Sequence, residues 1–478
     1  MKTLRCDVLV IGSGPGGATT AAWCAEAGRD VLIVEEGPDL SIDSAPSYSM
    51  AEMAQKYRNS GLTPAFGKTN ITYIEGRCVG GGSEINAALY HRPLASTLDD
   101  WQRRYQIDGF SPAALDDEFD AVEAEVGVAT QPGGPDPQSE RLIAGAQALG
   151  WRAKEIARFW KYERQNDGAL VGRRRSMTES LIPRARAAGA RLLADTRVSA
   201  LELDGDRAVA ATAVCQSDGK KEKIRIEFSE VVVAAGAVQT PALLRRSGLT
   251  ARIGDSLQLH PMIRVAVRFP HKVADPSWGV PVHQVEEFKP QLTLGCSHSS
   301  LPHIALWLAG EVREKREHLR RWEHLAVFYA AIAGSGLGSV RNLPGFREPL
   351  VRYPLTDADM ALLGEGVYRL GQLVFAAGAL EMIGPIEGAP PVTHPGELGR
   401  LRTGLPHGRI NVTTIHLFST CPMGEDPRRC AVDSFGRLHG YTNIRVNDAS
   451  VLPASPGVNP QGTILAIARR NVRKMLSL

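Results

Sequence analysis

The first 35 residues leave the chain little choice of fold. Cys6-Asp7-Val8-Leu9-Val10-Ile11 is a short apolar, β-branched run, followed without pause by Gly12-Ser13-Gly14-Pro15-Gly16-Gly17. A helical stretch from Ala18 to Ala27 comes next, then a second apolar run, Val31-Leu32-Ile33-Val34, closed by Glu35. Strand, glycine turn, helix and strand make a βαβ unit. Gly12, Gly14 and Gly17 have the G-x-G-x-x-G spacing. The first allows a tight turn, the second a close approach of backbone to a pyrophosphate, and the third the packing of helix on strand. The helix N-terminus adds free N–H groups and partial positive charge, and Glu35 can accept hydrogen bonds from a ribose diol. The pattern predicts dinucleotide binding. A carboxylate at 35 argues against a 2′-phosphate, which favours FAD or NAD over NADP.

Downstream, Arg191-Leu192-Leu193, Val198 to Leu203, Ala208 to Val214 and Ile224 to Phe228 alternate with turns such as Asp204-Gly205-Asp206, which predicts an antiparallel meander. Val231 to Gly236 is apolar on both faces and is expected to return to the parallel sheet as a separate buried strand. From Arg264 to Ile410 the character changes and predicts a second domain. Ile304 to Leu308 and Ala326 to Ala331 read as strands. Thr356-Asp357-Ala358-Asp359 reads as a capping box opening a helix with the stripe Leu362, Leu363, Val367, Leu370 and Val374. The charged run Glu311 to Glu323 reads as a solvated helix face.

At 478 residues there is room for two to three domain-sized units. A composition of 43% hydrophobic and 22% charged residues, with a net charge of +3, excludes a disordered chain and a nucleic-acid binder. The seven cysteines (6, 24, 78, 215, 296, 421 and 430) are odd in number, scattered and never C-x-x-C, so neither a disulfide framework nor a metal site is expected. No apolar run reaches transmembrane length, and a strand beginning near Cys6 leaves no room for a secretory signal. The expectation is a cytoplasmic protein with reduced thiols.

Three further phrases carry a family resemblance. Gly76-Arg77-Cys78-Val79-Gly80-Gly81-Gly82-Ser83-Glu84-Ile85-Asn86 resembles the first signature of the glucose–methanol–choline (GMC) flavin oxidoreductases, and Gly236-Ala237-Val238-Gln239-Thr240-Pro241 opens a stretch to Gly248 that resembles the second. His416 to Gly424, Asn447-Asp448-Ala449-Ser450 and Gly457-Val458-Asn459-Pro460-Gln461-Gly462-Thr463 resemble the closing region, nearest to the cholesterol oxidase and long-chain alcohol oxidase branch. The resemblance implies an α/β fold, α+β overall. A discontinuous Rossmann-like FAD-binding domain (1–100, 180–263 and 411–478) would accompany a substrate-binding domain of antiparallel sheet and helices (101–179 and 264–410).

It also implies site residues. Gly81, Gly82, Ser83 and Asn86 would lie along the flavin and pyrophosphate; successive glycines and a serine let backbone N–H groups approach a flat polar ring closely, and the alternative is a packing turn. The backbone of Val198 would hold the adenine, and Asp448 would contact the pyrophosphate or ribityl region. Asn459 and Pro460 read locally as a helix cap before Gln461. The resemblance instead aims the Asn459 amide into the active site opposite His416, the catalytic base, with the helix start at Pro460 and Gln461 facing the flavin. Ile85, where covalent members of the family often carry a linking His, implies non-covalent FAD, with His91 nearby. His260 reads as structural, and Arg173-Arg174-Arg175 as a surface or domain-seam cluster. The implied reaction is oxidation of a small-molecule alcohol to a carbonyl, with oxygen, a quinone or a protein as electron acceptor. The alternative on the same fold is a non-redox lyase or decarboxylase.

Overall fold

The opening run folds as β1 (Lys2–Ile11), exposed at its start and buried from Val8 onward. It begins four residues earlier than its apolar stretch because a neighbour pairs with it along its whole length. That neighbour is β6 (Lys220–Val233), in parallel register from Lys2 opposite Ile224 to Ile11 opposite Val233. The two strands expected at Ile224–Phe228 and Val231–Gly236 are therefore one. The β1 ladder carries the backbone through Ser229 and Glu230 without a break. A computed structural model describes residues 2–165, 170–217, 219–275, 279–308, 317–402 and 404–478.

β1 and β6 lie at the centre of a seven-stranded sheet with β2 (Val31–Val34), β3 (Arg191–Leu193), β4 (Thr196–Asp204), β5 (Arg207–Ser217) and β7 (Ile444–Val446). The order is β3-β2-β1-β6-β5-β4, with β7 parallel to the end of β6 and β5 antiparallel to its start. The parallel half of the sheet is buried on both faces, which explains its continuous apolar runs. Helix α1 (Pro15–Glu26) packs against it and against the C-terminal helix. With Ala18, Ala21, Ala22 and Cys24 fully buried, α1 lacks a solvent stripe.

The second sheet has nine strands. Its order runs Thr63–Ala65, Ile71–Tyr73, Val412–Thr414, Met262–Arg268, Leu325–Ile332, Leu292–Cys296, His283–Val285 and Ala153–Glu155, with Glu381–Ile383 also paired to Met262–Arg268. Helix α2 (Gly236–Arg246) follows β6, and α3 (Asp357–Ala376) covers the second sheet. The capping box forms: Asp359 N–H donates to Thr356 Oγ1 at 3.0 Å and Thr356 N–H to the Asp359 carboxylate at 3.1 Å. Leu363, Val367, Leu370 and Val374 are buried, whereas Leu362 is half-buried.

Ile304 to Leu308 is helical (Leu301–Leu308) rather than a strand. A five-residue apolar run has no periodicity of its own. Here Ile304 packs with Ala266, Leu325, Val327 and Ile383, which a helix lying on the sheet satisfies. Of the charged run Glu311 to Glu323, residues 311–316 lie outside the described residues.

Two hydrophobic cores underlie the two sheets. Trp101, Phe110, Leu115 and Phe119 share the first with β1, while Leu142 and Ala146 share the second with α3. The segment 101–179, expected wholly in the second domain, thus contributes to both cores. Residues 63–73 and 412–414, expected in the cofactor domain, supply strands of the nine-stranded sheet. Between the sheets a two-stranded antiparallel ribbon pairs Gln258–Leu259 with Leu417–Phe418. No helix of the described residues is long and apolar enough to cross a membrane.

Candidate active site

A cleft begins where β1 ends. Gly12 turns the chain with φ +99°, and a Cβ there would lie 2.3 Å from the Ala234 carbonyl oxygen. Gly17 lets α1 sit on the strand: its Cβ would lie 2.0 Å from the Gly12 carbonyl oxygen, an overlap only a backbone shift could relieve. At Gly14 and Gly82, by contrast, a Cβ would meet nothing within 4 Å. These two positions face open space, and a Cβ at Gly81 would lie 3.1 Å from the Gly14 Cα, so the two glycine loops meet at one opening. Neither Gly14 before α1 nor Pro460 before α4 (Gln461–Met475) caps its helix with a side chain, so first-turn N–H groups at both helix starts have no side-chain acceptor.

Every predicted site residue except Gly17 lines this cleft: Gly12, Gly14, Glu35, Gly81, Gly82, Ser83, Asn86, Val198, His416, Asp448, Asn459, Pro460 and Gln461. The carboxylates are tied down by protein. Glu35 accepts from the Ser13 N–H at 3.0 Å, the Ser13 hydroxyl at 2.7 Å and the Gly37 N–H at 2.9 Å. Burial still holds its carboxyl above the usual range despite these bonds. Ser13, missed by the sequence reading, also accepts from the Gly80 N–H at 3.0 Å and so joins the first glycine loop to the second. Asp448 accepts from Gly236 N–H at 2.8 Å, Thr240 Oγ1 at 2.5 Å, Ser450 N–H at 2.8 Å and the Ser450 hydroxyl, pinning the start of α2; burial raises its carboxyl too. Ser83 donates to the Gly80 carbonyl at 2.8 Å and accepts from Met177 N–H at 3.0 Å. Asn86 donates to Gln461 Oε1 at 2.6 Å, linking residues 375 positions apart.

The sequence also concealed a buried ion network on the cleft wall. Arg58 pairs with Glu36 at 2.8 Å, Glu75 at 3.3 Å and Glu348 at 3.3 Å. Burial pushes the Glu36 carboxyl up, but Arg58, Arg197 and Arg347 outweigh it and leave it at about 2. Glu75, for which burial dominates, is pushed up to about 7. Nothing in the local pattern of Glu36 or Arg58 distinguishes them from surface residues.

At the other end, His416 is enclosed by protein except for an edge on the cleft. Burial, reinforced by the Arg264 guanidinium, pushes its imidazole down to about 4. The Asn459 Nδ2 donates to His416 Nε2 at 3.2 Å. The side chain of Asn459 therefore does not cap α4: Pro460 occupies the cap position and the amide is spent on the histidine. His260 lies beside His416, with Nδ1 to Nδ1 at 3.0 Å and its Nε2 2.6 Å from Ser455 Oγ. His91 does not line the cleft; it is buried, with neither ring nitrogen hydrogen-bonded. Arg174 donates to the Glu84 carbonyl and, at 3.2 Å, to the Tyr48 hydroxyl, so this arginine of the 173–175 cluster is a buried brace.

A sheet-embedded glycine turn, a second glycine loop facing it and two uncapped helix starts on one cleft define a dinucleotide-binding protein. Comparison with known proteins narrows this. Residues 14–262 and 342–468 match the N-terminal and C-terminal parts of the GMC oxidoreductase family. An uncharacterized GMC-type oxidoreductase of Sinorhizobium fredii is 40% identical over 99% of this chain and 95% of its own length. A long-chain-alcohol oxidase of Arabidopsis thaliana is 25% identical over 97% of this chain and 68% of its own. The crystal structure of pyridoxine 4-oxidase from Mesorbium loti superposes with a TM-score of 0.75 at 19% identity, covering 98% of this chain and 99% of that one. The chain belongs to the GMC oxidoreductase family, and it is an oxidoreductase with FAD as its cofactor.

Proposed function

We propose that the protein oxidises an alcohol to a carbonyl compound, with His416 as base and Asn459 as the group that orients the hydroxyl. The observation carrying this reading is the 3.2 Å contact between the Asn459 amide and His416 Nε2 on the wall of the glycine-lined cleft. Two side chains that converge on one point can hold one oxygen between them. An alcohol hydroxyl placed there would donate its proton to Nε2 and accept a hydrogen bond from the amide, which favours the alkoxide as it develops. The surroundings of His416 favour the neutral imidazole, the form whose Nε2 can accept a proton. Bound FAD supplies the hydride acceptor, N5 of its ring.

The open positions at Gly14 and Gly82 would receive the pyrophosphate and the flavin edge, Glu35 and Val198 the adenosine, and the start of α4 the polar edge of the ring. FAD would be held without a covalent bond, since no histidine stands at Ile85 and His91 is off the cleft. Residues 264–410 would carry most of the substrate contacts, as the second domain.

The test is anaerobic mixing with a panel of alcohols, followed by the yellow flavin absorbance. Bleaching by an alcohol is expected, and His416→Ala should slow it by roughly 10²–10⁴-fold with FAD still bound. Product formation with flavin that never bleaches would reject the oxidation in favour of non-redox chemistry. Repeating the panel with oxygen, a quinone and a dye then identifies the acceptor.

A further inference from the structure

We infer that His260 and Ser455 fix the tautomer of His416, leaving its Nε2 as the bare nitrogen that faces the cleft. The inference rests on the proposed role of His416 as base and adds a positioning residue to it. Its ground is a directional chain of three contacts. The Asn459 amide nitrogen carries only hydrogens, so His416 Nε2, 3.2 Å away, must accept. A neutral His416 then carries its proton on Nδ1 and donates it to His260 Nδ1 at 3.0 Å. His260, accepting at Nδ1, bears its own proton on Nε2 and donates to the Ser455 hydroxyl at 2.6 Å. Each neutral ring donates once and accepts once.

The register of the ribbon makes this arrangement stiff. Gln258 pairs with Phe418 and Leu259 with Leu417, so the next step along each strand sets His260 against His416. The rings meet edge to face, with centroids 5.1 Å apart and planes at 84°. His260 is also packed on Phe418, centroids 4.9 Å apart. Ser455 is itself held by its backbone N–H, which donates to Gln258 Oε1 at 2.8 Å and ties the serine to the same ribbon. A reversed chain would need the Asn459 amide turned over and a proton on His416 Nε2, and the site would then present no base. His260 differs from a carboxylate partner in being uncharged: it orients the ring without adding a charge that would raise its affinity for protons. Burial of both imidazoles favours the neutral forms the chain requires.

The experiment uses FAD-loaded protein labelled with ¹⁵N-histidine, in which two-bond ¹H–¹⁵N correlations report which ring nitrogen is protonated. Wild-type protein is expected to show His416 protonated at Nδ1 and bare at Nε2. His260→Gln offers a carbonyl to His416 and an amide to Ser455, so it should keep that pattern and reduce flavin within about threefold of wild type. His260→Leu should mix the two tautomers, with the Nε2-protonated form predominant, and slow anaerobic reduction by about tenfold, since only molecules bare at Nε2 keep the base. Ser455→Ala, at a half-buried position, should shift the His416 signals toward the mixture in protein that folds normally, and it covers the case in which His260→Leu does not. A wild-type His416 protonated at Nε2 would overturn the inference, as would unchanged signals and rate in His260→Leu or, should that variant not fold, unchanged signals in Ser455→Ala. The two readings fail separately. Normal reduction in His416→Ala removes the base, whereas slow reduction there with normal reduction in His260→Leu removes only the positioning role.

Discussion

The two ends of the cleft are built on opposite electrostatic plans. Around Glu35 and Glu36 the wall is charged, and its charges are already matched by protein: Ser13 and Gly37 hold Glu35, and arginines hold Glu36. Around His416 the groups that hydrogen-bond one another are neutral, namely Asn459, His416, His260 and Ser455, and the one charge that bears on the ring is the Arg264 guanidinium. The first plan suits binding, because preset dipoles and ions can receive a ribose and a pyrophosphate with little rearrangement. The second suits proton transfer, because directional hydrogen bonds between neutral groups hold a base in its neutral form and aim its lone pair.

If that contrast is right, substitutions at the two ends should fail in different ways. The largest effect is expected at the root of the binding end. Gly17→Ala forces a Cβ to within 2.0 Å of the Gly12 carbonyl oxygen. Overpacking against backbone should cost about 3 kcal/mol and separate strand from helix. Little folded, yellow protein should be recovered, and a melting temperature equal to wild type would show that the junction can relax.

Glu35→Ala should weaken FAD affinity by roughly 10- to 100-fold, the loss expected for hydrogen bonds to a charged acceptor. The reduction rate of the FAD-saturated variant should stay near wild type. Titration with FAD separates the two quantities, and a slow saturated enzyme would blur the division between the ends.

Asn459→Ala should do the reverse, slowing flavin reduction by about fivefold, the worth of one hydrogen bond of about 1 kcal/mol made in the transition state. Since Pro460 and not Asn459 stands at the cap of α4, its melting temperature should hardly move. Lower stability with normal reduction would restore the capping role.

The smallest effect is a matter of pH. Burial holds His416 at about 4 and His260 well below its ordinary value, while in the unfolded chain both titrate near 6.5. Between pH 6.5 and about 4 the unfolded state therefore binds protons that the folded state refuses, and the imidazoles contribute stability above pH 6.5 that is lost as pH falls. The buried Glu35 and Asp448, with raised values, act in the opposite sense. The comparison that isolates the histidines is the fall in melting temperature from pH 7 to 5 in wild type against His416→Gln. The wild type should fall more, and equal slopes would mean that these rings are protonated in the folded protein.

The difference between the ends also explains what could be read before the structure. The binding end is local: Gly12, Gly14, Gly17 and Glu35 lie within 24 residues, and a strand, a turn and a helix impose their own residue types. Even there, Ser13 escaped notice, because a serine between two glycines carries no signal until Gly80 and Glu35 are brought to it. At the other end His416 and Asn459 were legible only through phrases shared with relatives. His260, read as structural, showed nothing in its local sequence to connect it with a residue 156 positions away. The same limit misassigned Ile304 to Leu308, whose helix is chosen by the sheet beneath it.

By itself the sequence determined the βαβ frame, the glycine turns and the capped helix at Thr356, because each depends on backbone geometry set within a few residues. Tertiary structure alone decided that β6 is one strand paired along β1, that Asn459 turns from its helix to a histidine, and that His260 stands against His416. Those outcomes depend on register between segments far apart in the chain, and register follows from the simultaneous burial of both partners, a quantity no local stretch of residues contains.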